Sequence, residues 1–202
     1  MTLSQPEQWV GEVHGGVTGF VEAMRGRSER GFFRHTWSSD LRRDERWGLI
    51  NAVFAARILH LCDAVEAEHR QHIGEFIMGF QRRDGGFCDP WLLRQTRRTR
   101  WRRGLRGGDL SEIRGTCLFT AETRSALTAL RHLKTPVRRR YRRFEAMSPA
   151  SVRRYVHGLD WRRPWAAGSH FSAMIVFLCY PHNDLSDDEK SRRIMLINAA
   201  FE

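Results

Sequence analysis

A chain of 202 residues, 41% hydrophobic and 28% charged, fits one domain, 1–202, with a sizeable core and the composition of an ordinary soluble protein. Its formal net charge of +11 is nearly all arginine, because Lys134 and Lys190 are the only lysines; arginine-favouring coding and a polyanion-binding face are both consistent with that. The longest apolar stretch, Phe171 to Tyr180, is shorter than the roughly 20 residues a bilayer span needs, and the N-terminus lacks a basic region followed by an apolar run. The expectation is therefore a cytoplasmic protein with no membrane span and no secretory signal. Cys62, Cys88, Cys117 and Cys179 form no CxxC pair; three lie in or beside apolar helix runs and read as reduced, buried thiols.

Pro6 to Met24 reads as the first helix, with Trp9, Val10, Val13, Val17, Phe20 and Val21 as its stripe. Gly11, Gly15, Gly16 and Gly19 either permit close packing or break it. Arg25 to Arg43 is a polar connection whose Phe32, Phe33 and Trp37 are expected to tuck under the fold. Asp44, a candidate N-cap, opens a second helix to Leu61 that is apolar enough for burial on most sides.

Val65 to Phe80 is the third helix. Ile73, Phe76, Ile77 and Phe80 line one face, and Glu66, Glu68, Arg70 and Gln71 suit the outside. Gln81 sits at its end, Asp84-Gly85-Gly86 offers two residues that accept positive φ, Phe87 folds back onto the stripe, and Pro90 blocks regrowth. The reading is a helix, an ordered corner and a return. A basic connection, 88–117, follows.

The alternation of apolar and amphipathic helices then resumes. Phe119 to Leu133 is inner-type; Ser148 to Leu159, with a serine cap and Pro149, is outer-type; Ala166 to Tyr180 is inner-type. Ser186 to Phe201 has a serine cap, an acidic first turn and a stripe of Ile194, Ile197, Ala200 and Phe201. The fold class is therefore all-α, as stacked helical hairpins.

Gln81, Gly85 and Phe87 behind an apolar helix resemble the repeat of terpenoid cyclases and protein prenyltransferases. In that superfamily the glutamine and the aromatic residue tie an outer helix to the next inner helix of an α/α toroid. Gln81, Asp84, Gly85 and Phe87 are thus assigned to a structural motif, with Phe87 in place of the more usual tryptophan. Leu159 to Gly168 resembles a second, worn copy, with Trp161 and Trp165 in that role. The resemblance implies an open or incomplete arc of the toroid type, truncated or completed by a partner domain or oligomer. It also implies a terpenoid-cyclase-like or prenyltransferase-like protein with an apolar central cavity.

The chain departs from the family's catalytic patterns. Asp184-Leu185-Ser186-Asp187-Asp188 has the wrong spacing for the alkene-protonating motif, and Asp187 and Asp188 are followed by Ser191 where a diphosphate-ionising motif needs aspartate. No zinc triad is present, no metal is assigned, and no pattern names a cofactor. The candidate site therefore consists of polar residues inside apolar helices. Glu122 and His170 are candidate general acid and base; Trp47, Asn51, Arg124 and Trp165 are candidate substrate-binding residues. The competing reading pairs Glu122 with a buried arginine, such as Arg57, and bonds His170 to a backbone carbonyl. Glu66, His69 and His72 share one helix face without a fourth ligand.

Two arginine runs, Arg94 to Arg106 with Trp101 and Arg138 to Arg143 with Tyr141, interleave charge and aromatic side chains. Three functions follow: an isoprenoid-handling protein; a carbohydrate-active α/α toroid in which tryptophans stack on sugars and Glu122 is the acid; and a non-catalytic scaffold binding nucleic acid or another polyanion.

Overall fold

The computed structural model describes residues 5–38, 48–94, 115–180 and 185–202. Regular structure among them is helical: α1 (Gln5–Ala23), α2 (Gly48–Leu61), α3 (Ala67–Met78), α4 (Gly115–His132), α5 (Pro149–His157), α6 (Pro164–Cys179) and α7 (Asp187–Phe201). The fold is all-α, as expected. Among the described residues no helix is long and apolar enough to cross a membrane. Asp44, Trp47 and Trp101 lie outside the described residues, as does the first arginine run beyond Arg94.

The chain forms two compact units. The first comprises Met1–Phe80, Asp89–Gln95 and Thr128–Val137; the second comprises Gln81–Cys88, Thr96–Leu127 and Arg138–Glu202. In the first, Leu49, Val53, Leu59, Ile73, Ile77 and Leu130 are fully buried, but Phe54 and Leu61 of α2 are exposed, so that helix is buried on fewer sides than its composition suggests. Phe32 and Phe33 are buried beside them, as expected, whereas Trp37 is exposed and meets Phe20 edge-on at 6.1 Å.

Helix α1 runs unbroken, and the glycine alternatives resolve simply: a Cβ at Gly11, Gly15, Gly16 or Gly19 would meet nothing within 4 Å. Of its stripe only Val21 is buried; Trp9, Val10, Val13, Val17 and Phe20 are exposed.

Two corners in the fold obey one geometry. At the end of α3, Gln81 and Phe87 form a single antiparallel bridge, with Arg82 N–H donating to Gly86 O at 2.8 Å. Gly85 has φ +85°, and a Cβ there would lie 2.5 Å from the Arg140 carbonyl oxygen. Phe87 is fully buried, and its amide and carbonyl both bond the Thr123 hydroxyl on α4.

The Gln81 amide donates to Gly85 O and Arg139 O and accepts from Arg139 N–H. One side chain thus satisfies three backbone groups, none of them at the helix end expected: one lies in the corner and two in the segment after α4. After α1, Arg25 and Phe33 form the other bridge. Gly31 has φ +78°, a Cβ there would lie 2.1 Å from His72 O, and Asn51 on α2 donates to Phe33 O at 3.1 Å.

Helices α2 and α4 also end alike. Asp63 and Lys134 adopt positive φ, and Ala64 N–H and Thr135 N–H reach back to Leu59 O and Leu130 O at 2.8 and 2.9 Å. This left-handed cap closes both α2 and α4, at a cost of roughly 1–2 kcal/mol for a residue other than glycine.

Leu159 to Gly168 differs from the expected worn copy. Helix α6 begins at Pro164, so Trp165 belongs to its first turn and is 92% exposed. Trp161 lies half exposed and donates to Val156 O. Neither occupies the buried position of Phe87, because proline restarts the helix before the chain can turn inward.

In α7 the buried face is Arg193, Leu196, Ala199 and Ala200, whereas Ile194 and Phe201 from the expected stripe are exposed. Cys88 is buried, Cys62 partly buried and Cys179 exposed, and none of the three forms a disulfide among the described residues. The expectation of buried thiols therefore holds fully only for Cys88.

Opposite outcomes are expected for alanine at two glycines. Gly85→Ala combines a positive φ with a carbonyl in the Cβ position and should cost about 2 kcal/mol or more. Gly168→Ala, helical and with nothing within 4 Å, should gain about 0.5–1 kcal/mol. Urea unfolding of both variants checks the signs.

Candidate functional site

In the second unit, α4, α6 and the segment following Tyr141 bring polar groups together. Helical spacing puts Thr120 and Arg124 on one face of α4. Arg124 Nη1 donates to Ser169 O and Ser172 Oγ on α6, both at 3.2 Å. Arg143 Nη1 donates to Thr120 Oγ1 at 2.7 Å. His170, on the same turn of α6 as Ser169, is half-buried, and its pKa falls below 6.5 because burial, then the charges of Arg143 and Arg124, oppose protonation. The cluster thus holds an imidazole that stays neutral near pH 7 beside two fixed cations. It can accept a proton while the guanidiniums hold an anion.

Of the residues singled out from sequence, Arg124 and His170 share this cluster. Glu122 is buried on α4, 7% exposed. Trp165 projects into solvent at the start of α6. Asn51 belongs to the first unit, where it serves the Phe33 corner. Arg57 is exposed on α2, where its charge helps lower the pKa of His132 after burial and the stacked His60.

His69 Nδ1 accepts from Glu66 N–H at 3.1 Å and Nε2 meets Glu22 Oε1 at 2.8 Å, so the ring is part of the α3 cap. His72 faces Glu68 at 3.3 Å. Among the described residues no three potential ligands could share a metal.

The second arginine run does not present its aromatic residue. Tyr141 is buried, edge-on to Phe119 at 5.9 Å and Phe177 at 4.9 Å, and burial pushes its hydroxyl pKa up. A base-stacking role is excluded by that packing.

Sequence reasoning missed Glu145. Its carboxylate lies between the side chains of Arg140 (Nε at 3.2 Å) and Arg193, all three nearly buried. Arg193 also donates to Tyr180 O at 2.8 Å, and Arg140 pairs with Glu189. Glu189 in turn accepts from Ser186 N–H in the α7 capping box, and the Arg140 hydrogen bond leads the causes that hold its pKa at about 2. The available signal was Arg193 itself, in register with Leu196 and Ala199 on one helix face.

Two outcomes are expected. Glu145→Ala leaves the buried Arg193 guanidinium without a carboxylate and Arg140 with Glu189 alone, and should cost about 3–5 kcal/mol in denaturant unfolding. Because folding lowers the His170 pKa, its contribution to stability is full above pH 6.5 and is lost as pH falls through the lower, folded value. Arg143→Gln removes one of the opposing charges, so NMR titration should show His170 protonating at higher pH in that variant. A search of protein-family models, curated proteins and solved structures returns no match to this chain.

Proposed function

We propose that this chain is a helical-hairpin protein of the terpenoid-cyclase and prenyltransferase-like type that binds an isoprenoid substrate by its anionic head. The observation that carries the reading is the convergence of Arg124, Arg143 and His170 on one half-exposed cluster. Two guanidiniums whose positions are set by Ser172, Ser169 O and Thr120 are pre-oriented for a diphosphate, which arginine grips bidentately. His170 is the group that takes up a proton. The paired corners and left-handed caps support a hairpin scaffold of the toroid type.

A carbohydrate substrate is the second reading. Its support is Trp165, whose indole stands exposed one turn before Ser169 and His170 and offers a flat apolar face.

NMR titration of His170 separates them. Inorganic pyrophosphate should raise the His170 titration midpoint by about one unit in the wild-type chain. A short isoprenyl diphosphate should bind at least tenfold tighter than pyrophosphate, and Arg124→Gln with Arg143→Gln should abolish both effects. An unmoved midpoint overturns the anionic-head reading. Quenching of tryptophan fluorescence by an oligosaccharide, lost in Trp165→Ala, favours the sugar.

A further inference from the structure

A separate cavity of about 260 Å³ lies in the second unit between the segment from Arg140 to Ala146 and helix α7. Four arginines, Arg140, Arg142, Arg192 and Arg193, line it with two carboxylates, Glu145 and Glu189, which leaves a formal excess of two positive charges. The arginines are not equivalent.

The carboxylates are committed elsewhere. Glu145 is held between Arg140 and Arg193, and Glu189 is held by Arg140 and by the capping box of α7. Neither is available to neutralise the two outer cations. Arg142 is exposed and has no acidic partner among the described residues. Arg192 is exposed, and its hydrogen bond is a 3.5 Å contact to Met147 O. Arg193, with a side chain only 7% exposed, leaves its Nε–H without an acceptor among the described residues. That nitrogen is closed off from solvent, so Arg193 adds charge to the cavity wall and not a ligating N–H.

We propose that this cavity binds a small phosphate monoester, with Arg142 and Arg192 as its principal ligating cations. The charge excess matches a dianion, and the paired inner arginines make a rigid floor rather than competing ligands. The volume falls below the roughly 300–1,000 Å³ of drug-sized sites, which favours a small metabolite over a polymer.

A second, more open groove of about 490 Å³ shares Arg192 and is lined by Met147, Pro149 and Met195 together with Ser148, Ser191 and the Asp188 carboxylate. That groove takes the organic part of the ligand, where thioethers adapt to an apolar group. Nothing in this inference uses Arg124, Arg143 or His170.

Calorimetric titration of the whole chain at low salt tests it, with inorganic phosphate, phenyl phosphate and acetate as probes. Saturable binding of both phosphates is expected, phenyl phosphate several-fold tighter, with acetate at least tenfold weaker. Arg142→Gln combined with Arg192→Gln should weaken phosphate at least tenfold while circular dichroism and thermal midpoint stay unchanged, and Arg192→Lys should restore part of the loss. Met195→Ser should narrow the advantage of phenyl phosphate.

The inference is overturned by the absence of saturable binding, by acetate binding as tightly as phosphate, or by an undiminished affinity in the double variant. Loss of binding in Arg124→Gln/Arg143→Gln with retention in Arg142→Gln/Arg192→Gln also overturns it, and leaves the isoprenoid reading standing.

Discussion

A carboxylate shut in with two guanidiniums governs the second unit. Charges that are removed from water must be compensated where they lie, so Arg140, Glu145 and Arg193 fix one another's positions. Arg193 can enter the interior only with that partner present, and its entry sets the rotation of α7. Leu196 and Ala199 follow it inward, while Ile194 and Phe201 turn out to water. Glu189 carries the same chain of contacts to the helix start, where the cap and the ion pair share one side chain. An electrostatic requirement thus decides which apolar residues of α7 become core.

Much of the fold was legible from spacing and punctuation. Ser148 before Pro149 and Ser186 before an acidic turn marked two helix starts, and both serines accept from the backbone amide three residues on. Gln81, Gly85 and Phe87 marked the corner because each has a reason that sequence can express: an amide for orphan backbone groups, a residue free to adopt positive φ, and a large apolar anchor. The equivalent corner from Arg25 to Phe33 was not legible, since arginine replaces glutamine and more residues separate it from the glycine. The rotation of α7 was illegible for a different reason. Apolar periodicity assumes arginine faces water, and only a tertiary partner reverses that.

The candidate site was legible in part. Arg124 and His170 were identified as polar residues within apolar helices, and they share a cluster because Arg124 reaches the first turns of α6. Arg143 was read as one of an arginine run that could meet a polyanion, although Thr120 holds it beside His170. Tyr141, from the same run, turns inward against two phenylalanine rings and fills volume instead of presenting a surface. Burial along 138–145 separates Arg140, which turns inward beside Tyr141, from the exposed Arg138, Arg139, Arg142 and Arg143, a division that composition alone does not contain.

The left-handed cap at Lys134 has a chemical corollary. Lys134 belongs to the first unit and Lys190, paired with Asp187 at 2.8 Å, to the second. Every other fixed cation of the side chains is a guanidinium, which neither acylates readily nor loses its proton below strongly alkaline pH. Amine-directed reagents therefore meet one internal handle in each unit. A pair of spectroscopic labels placed on these two amines would report the separation of the units in solution, with the arginine lining of both sites left chemically intact.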